Sequence, residues 1–335
     1  MSTRIEARGG GGTSLASFDG RAWLTGLLRP EHIQSTAVWI AVAALAVVAS
    51  FTVPGFSSRA NVSAIMYATS AVGIAAVGMA LITLSGNLFM LSMGATAAVS
   101  TILFASLLHL GLLPSVLLVV LFGGVLGLAQ GFAVGAAKAN PIITTIATSS
   151  IIMGGGSFYS GGLTVVGQGD ASWLGIGRTF GLPNQIWLFA AATVVLSFIV
   201  GRTRFGRELR LIGLNRTAAD FAGLRVERAL IGAYALAAMA AACAGALYAS
   251  QAAQGNVKLG AGLDFDAIAA VLVGGVAIKG GHGRILDAAI GAVFLAMISN
   301  VLLLLGLSLE IQLIVKGLVV IGSVALGAFA LGTGR

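Results

Sequence analysis

Residues 201–228 read GRTRFGRELRLIGLNRTAADFAGLRVER, set between NQIWLFAAATVVLSFIV at 184–200 and ALIGAYALAAMAAACAGALYAS at 229–250. Seven arginines (Arg202, Arg204, Arg207, Arg210, Arg216, Arg225 and Arg228) and three acids (Glu208, Asp220 and Glu227) give the middle segment a net charge of +4. Neither flank carries a charge. A helix crossing a hydrocarbon layer of about 30 Å needs about 20 apolar residues, so the flanks read as membrane crossings. Arginine concentrates in cytoplasmic loops of membrane proteins, so the segment between them is expected inside the cell.

The rest of the chain extends this pattern. Of 335 residues 58% are hydrophobic and only 9% charged, against about 45–50% and 25% in soluble domains. Lipid must cover the excess. The chain carries 19 Lys and Arg against 11 Asp and Glu, a net +8, half of it on residues 201–228. In a soluble protein that balance would suggest a nucleic-acid partner; here loop charge accounts for it, and no nucleic acid is expected. Apolar runs bounded by Pro, Gly, Asn or charge fall at 36–53, 62–84, 88–108, 112–137, 141–160, 184–200, 229–250, 264–278, 288–305 and 311–331. The expected fold is all-α and polytopic, with about ten transmembrane or broken helices. The 264–278 run has too few uncharged residues after Asp266 to cross as a regular helix, so it reads as a broken or re-entrant segment packed inside protein.

Counting outward from the arginine-rich loop places both termini, Lys138, Lys279, His282 and Arg284 inside, and only Arg59, Arg178 and Lys258 outside. Residues 1–35, with Arg4, Arg8, Arg21, Arg29 and the GGGG run at 9–12, are expected to be a disordered cytoplasmic segment without the apolar core of a signal peptide. Residues 36–332 form one transmembrane domain, with 161–183 as the long outer loop. Ten spans with both ends inside make an inverted five-plus-five repeat. Each half has a glycine-broken third element, LSGNLFMLSMG around Asn87 and LVGGVAIKGGHG around Gly274, a pairing that points to a transport route near the midplane. The 48 glycines, about twice the usual share, indicate close helix packing or helix breaks.

Little in the chain could do bond-making chemistry. None of the four lysines sits in a Gly-x-x-x-x-Gly-Lys-Ser/Thr loop, so ATP is not expected on this chain. His32, His109 and His282 are far apart, and Cys243 has no partner; no metal, disulfide, cofactor or catalytic site is expected. Asp264 and Asp266, just before an apolar run, read as helix caps and dipole partners. Lys316, inside IQLIVKGLVV, is either a functional intramembrane charge or a side chain that snorkels to the interface. Asn87, Gln130, Asn140, Thr144, Thr145, Asn300 and Gln312 read mostly as interhelical hydrogen-bonding groups. Within the arginine-rich loop, Ala218, Phe221, Ala222 and Leu224 describe a short amphipathic helix with Asn215 or Thr217 as its N-cap.

FGRELRLIGLNRTAADFAGLRVER at 205–228, GLDFDAIAAVLVGG at 262–275, GGHG at 280–283 and IQLIVKGLVV at 311–320 together resemble the bacterial ABC-importer permeases of the ribose/xylose/galactose type, relatives of the branched-chain amino-acid permeases. VGMALITLSG at 77–86 and LGIGRTFGLP at 174–183 extend the resemblance over roughly residues 60 to 330. It implies an inner-membrane permease subunit that pairs with a second permease subunit, same or related. Such a subunit receives a sugar or similar small polar solute from a periplasmic binding protein at the outer loop, and cytoplasmic ABC ATPase subunits that carry the ATP drive it. By motif position the coupling helix gripped by the ATPase is Asn215 to Gly223, with Asn215, Arg216, Ala218, Ala219 and Gly223 on the matching pattern. Asn87, Ser92, Asp266 and Lys316 are the expected residues of the translocation path. Two departures stand out. Met90 occupies the place of an acid in the family's Gly-Gly-Ile-Asp-Leu-Ser-x-Gly element, where Gly86, Ser92 and Gly94 persist, and Arg284 replaces the serine after Gly-Gly-x-Gly. The rival class is an ATP-independent secondary transporter with a five-plus-five repeat, which would need buried ionisable groups beyond Lys316, Asp264 and Asp266.

Overall fold

The computed structural model of the chain describes residues 33–332, with side chains described over 36–325. The expectations for residues 1–32 and for Arg335 lie outside that range. Each of the ten apolar runs contains one helix: α1 (Ile33–Thr52), α2 (Arg59–Leu84), α3 (Met93–Leu107), α4 (Leu112–Gly135), α5 (Pro141–Ser160), α7 (Asn184–Arg202), α10 (Val226–Ala252), α11 (Leu263–Gly274), α12 (Ile285–Leu304) and α13 (Leu309–Gly332). A single turn, α6 (Ser172–Gly175), lies in the loop before α7, and the arginine-rich segment contributes α8 (Arg204–Leu214) and α9 (Arg216–Phe221). Strand is confined to two-residue ladders: β1 (Val165–Val166) pairs antiparallel with β4 (Gln254–Gly255), and β2 (Arg178–Thr179) with β3 (Leu182–Pro183).

Among the described residues seven of these helices are long and apolar enough to cross a membrane alone, and α1 is apolar over its described Thr36–Thr52. The exception is the short α11. At 12 residues α11 is about 18 Å long and stops well short of a crossing, as its sequence requires. The third run is broken around Asn87, as its glycines lead one to expect, and only the start of its helix lies later than the start of the run. Residues 85–92 are not helical, and the helix begins at Met93 instead of 88. Gly86 and Leu88 both take positive φ there (77° and 59°), which breaks the helix despite an apolar sequence.

Helix ends follow their sequences. Ser58 caps α2 by accepting from the amide of Asn61, and Asn140 caps α5, with Pro141 as first residue and Gly161 in the left-handed region at the end. The acids of α11 do not cap it, contrary to their expected role. Gly262 is the cap residue, and Asp264 and Asp266 lie in the first turn, where they still complement the helix dipole.

The packing core is the α4–α10 pair. Gly123, Gly127, Gly131 and Gly135, four residues apart on one face of α4, lie against Ala238, Ala235, Ile231 and Glu227 of α10 so closely that an added Cβ would meet backbone atoms. This is small-residue packing of the membrane type, where van der Waals contact between backbones replaces a hydrophobic driving force. Around it the two halves interlock. The first-half helix α2 packs on α11 and α12, and the second-half helix α10 packs on α3 and α4, the exchange that an inverted repeat produces.

Successive spans alternate in direction, which defines two ends. One, called here the basic end, gathers the C-termini of α2 and α4, helices α8 and α9, the start of α10 and the 275–283 turn. The far end gathers α6, the β1–β4 ladder, and a reciprocal amide pair in which Asn61 and Asn300 each donate to the other's Oδ1 at 2.8 and 2.7 Å.

Candidate functional site

At the basic end Thr203 caps α8 through the amide of Gly206, and RFGRELRLIGL then buries Gly206, Leu209 and Ile212 while Arg204 and Arg207 are exposed and Arg210 is half-buried with its Nε enclosed. The chain breaks at Asn215, whose Oδ1 accepts from the amide of Ala218 at 3.0 Å; of the two expected cap residues, Asn215 is the one used. The six-residue α9 follows. Ala219 is turned inward and buried, whereas Arg216, Ala218 and Asp220 are exposed and Phe221 is 89% exposed. Gly223 ends the element at φ 77° with open space around it. A large apolar ring held outward on a capped turn is costly in water, and its position suits a surface that another protein covers.

Besides the buried side chains of Leu209, Ile212 and Ala219, this segment meets the transmembrane elements backbone to backbone. The amide of Gly281 donates to the carbonyl of Leu84, the last residue of α2, at 2.9 Å. A Cβ on Gly213, in the last turn of α8, would overlap that same carbonyl and stand 2.6 Å from the Gly281 amide. One on Gly280 would stand 2.6 Å from Cα of Gly86. The ends of α2 and α8 and the turn after α11 therefore meet with no side chain between them. Displacement of α8 is transmitted to two transmembrane elements with little slack, since close-packed contacts do not yield gradually. The GGHG turn is part of this junction. The sequence marked it only as a motif; its contacts lie too far along the chain to be read.

Deeper in the bundle, the starts of the two broken elements face each other. A Cβ on Gly94, in the first turn of α3, would lie 3.0 Å from Oδ1 of Asp264 in the first turn of α11, and 3.1 Å from the carbonyl of Gly260. Asp266, one residue pair further, forms a 2.9 Å ion pair with Nζ of Lys316 on α13, both side chains partly exposed. The pair gives the ammonium of Lys316 a partner on α11.

The sequence profile described as branched-chain amino acid transport system / permease component matches residues 61–324. The chain is 31% identical to the ribose import permease protein RbsC of Escherichia coli K12 over 289 residues, 84% of this chain and 90% of that protein. It is 32% identical to the ribose import permease of Bacillus subtilis over 282 residues (83% and 87%), and 32% to the L-arabinose transport system permease protein AraH of E. coli K12 over 317 residues (93% of each). The chain belongs to this permease family. No solved structure matches it.

In this permease the four expected path residues fall into two groups. Asp266 and Lys316 are brought together and remain partly open. Asn87 and Ser92 are enclosed in the bundle: Asn87 donates to Ser85 Oγ at 3.2 Å, and Ser92, fully buried at the start of α3, donates to Oε1 of Gln130 on α4 at 2.9 Å. Gln130, read from sequence as one of several interhelical groups, is thus the specific partner that holds the break in the third element against α4. Met90, in place of the family acid, is fully buried, and its amide donates to the sulfur of Met79 at 3.3 Å. A carboxylate there would be desolvated among thioethers and alkyl groups, so the substitution suits this interior. Arg284 sits at the N-cap of α12, where its amide donates to Asp287 at 2.9 Å.

Proposed function

We propose that this chain is the membrane-spanning permease subunit of a binding-protein-dependent ABC importer that moves a sugar or similar small polar solute into the cytoplasm. The observation that carries the reading is similarity over more than four-fifths of the chain to permeases named for ribose and L-arabinose import. Positive charge at the basic end favours a cytoplasmic placement of that end, with both termini on the same side of a bacterial inner membrane.

In this reading α9 is the coupling helix. Arg216, Ala218 and Phe221 face the partner ATPase, Asn215 and Gly223 set the ends of the turn, and Ala219 seats it on the permease. ATP is bound and hydrolysed on the partner. Closure of the ATPase pair displaces α9 and α8, and the glycine junction passes that displacement to α2 and to the turn below α11. Because α11 is tied to α13 by Asp266–Lys316 and abuts α3 at Gly94, movement at the cytoplasmic end reaches the centre of the bundle. Two such subunits, same or related, open the path alternately to a periplasmic binding protein and to the cytoplasm. Lys316 and Asp266 neutralise each other, which removes them from the free charges that an ion-coupled carrier would need.

The reading is tested by uptake of labelled ribose and L-arabinose, the first solutes to try, in cells with and without the partner ATPase. Uptake that stops without the ATPase supports the importer. Uptake that continues on an ion gradient supports a secondary transporter.

A further inference from the structure

Beside the root of α9 lies a cleft of about 670 Å³ between the end of α4 and the start of α10. Its walls carry Lys138, Arg216, Arg225 and Arg228 against Asp220 and Glu227, four cations and two carboxylates, so the cleft is net positive by two charges. None of the four cations forms a salt bridge with a described carboxylate. The first residues of α10 also line it, and this 27-residue helix has no side-chain cap: Arg225 occupies the cap position without a capping hydrogen bond. The positive end of a long helix dipole therefore opens into a space already rich in cations, an arrangement that stabilises an anion.

The neighbouring surface says which anion. Leu117, Leu121, Val125, Leu128 and Phe132 recur every three or four residues on α4, all are exposed, and together they make one apolar stripe along the helix. The stripe ends one turn short of the cleft, where Ala136, four residues beyond Phe132, forms part of the wall. A soluble anion would use the cleft and ignore the stripe. A phospholipid uses both, with its acyl chains along α4 and its phosphate among the cations at the membrane surface.

We propose that this cleft binds the headgroup of an anionic phospholipid from the leaflet at the basic end. The lipid ties the end of α4 to the root of the α9 segment and so couples membrane composition to the stiffness of that segment. Arg216 and Phe221 of the cleft wall are shared with the proposed ATPase face of α9, whereas Lys138, Arg225 and Arg228 lie outside α9 and stay with the lipid when α9 docks.

The test is thermal unfolding of the purified full-length chain in detergent micelles, titrated with phosphatidylglycerol, with phosphatidylcholine, or with inorganic phosphate. The expected result is a saturable rise in Tm with phosphatidylglycerol and none with the other two. In K138A/R228A, which leaves α9 intact, the binding midpoint moves roughly thirty-fold to higher lipid, the loss of two surface cations at about 1 kcal/mol each. Arg228→Lys keeps the charge and is expected to keep most of the binding, which separates lost charge from damaged fold. An equal rise with phosphatidylcholine, or with phosphate alone, would overturn the lipid assignment. An unchanged midpoint in the double variant would overturn the cleft. A double variant that loses co-purification of an ATPase while its lipid response is intact would assign the cleft to a protein partner instead.

Discussion

The two ends of the molecule are built by different means. At the basic end, helix ends meet backbone to backbone at Gly213, Gly280, Gly281 and Gly86, and an amphipathic helix is sealed onto them by Leu209 and Ile212. At the far end, the 161–183 loop adds two-residue ladders and hydrogen bonds such as Thr179 to Asn184 at 2.7 Å and Asn184 to the carbonyl of Trp173 at 2.7 Å to its own close glycine contacts, Gly169 against the carbonyl of Leu108 and Gly175 against that of Ser250. Phe180 stands 92% exposed at its hairpin tip, with only an edge contact to Trp187 at 6.4 Å. Both ends therefore contain close-packed backbone, and what differs is that the basic end carries an amphipathic helix on that packing while the far loop leaves a hairpin tip in the open. The difference is what the proposed function uses, with an ATPase at the basic end and a binding protein at the far end.

The sharpest way to break this contrast is to insert a methyl group at the junction. Gly213→Ala places a Cβ on the carbonyl of Leu84, and overpacking against fixed backbone costs about 1–3 kcal/mol or more. A lower Tm and lost uptake are expected, while Gly201→Ala, at the same end with open space around it, is expected to change neither. An unaffected Gly213→Ala protein would show that the junction is loose.

Gly223→Val acts next in size. A β-branched residue at φ 77° is strained by about 1–2 kcal/mol, so the turn after α9 is expected to re-form and uptake to fall while the protein stays in the membrane. Retained uptake with an unchanged Tm would remove Gly223 from the coupling element.

The ion pair is expected to give a smaller effect. Lys316→Met and Asp266→Asn, taken singly and together, should show a coupling energy of about 1 kcal/mol, because both groups are partly exposed. Additive losses would mean that the pair does not hold α11 to α13.

The smallest effect belongs to the far loop. Hydrogen bonds from Ser172, from its side chain first and then from its amide at 2.8 Å, lower the pKa of Asp170 below the ordinary 3.8. A carboxylate depressed by folding contributes stability above its unfolded pKa and loses it as pH falls through the folded value. Protection of the Ser172 amide, measured against its intrinsic exchange rate, should therefore fall only below about pH 4 and leave the basic end unchanged.

Much of this contrast was legible in the sequence, for physical reasons. Ten apolar runs have to become helices in lipid, a run broken so soon after Asp266 has to be short, and asparagine before RTAADF has to cap. What stayed hidden depends on distance along the chain or on helix phase. The break around Asn87 is readable from its glycines, but residues 88–92, LFMLS, are apolar enough to pass for helix, and its extent to Met93 depends on the positive φ of Leu88. Lys316 finds Asp266 fifty residues away, and Ser92 finds Gln130, by tertiary packing. A six-residue helix is too short to set its own phase, so the pattern could not say that Ala219 would turn inward and Phe221 outward.

That outward ring gives the most direct test of the central claim, that the basic end docks the ATPase. Cys243, in the apolar α10, is the only native cysteine, so after its replacement by serine, Phe221→Cys and Phe180→Cys can each carry a single short crosslinker in the assembled transporter. The account predicts that the Phe221 position crosslinks to the ATPase subunit and the Phe180 position does not. A crosslink to the ATPase from Phe180, or a Phe221 position that reaches no ATPase in a complex active in uptake, would contradict it.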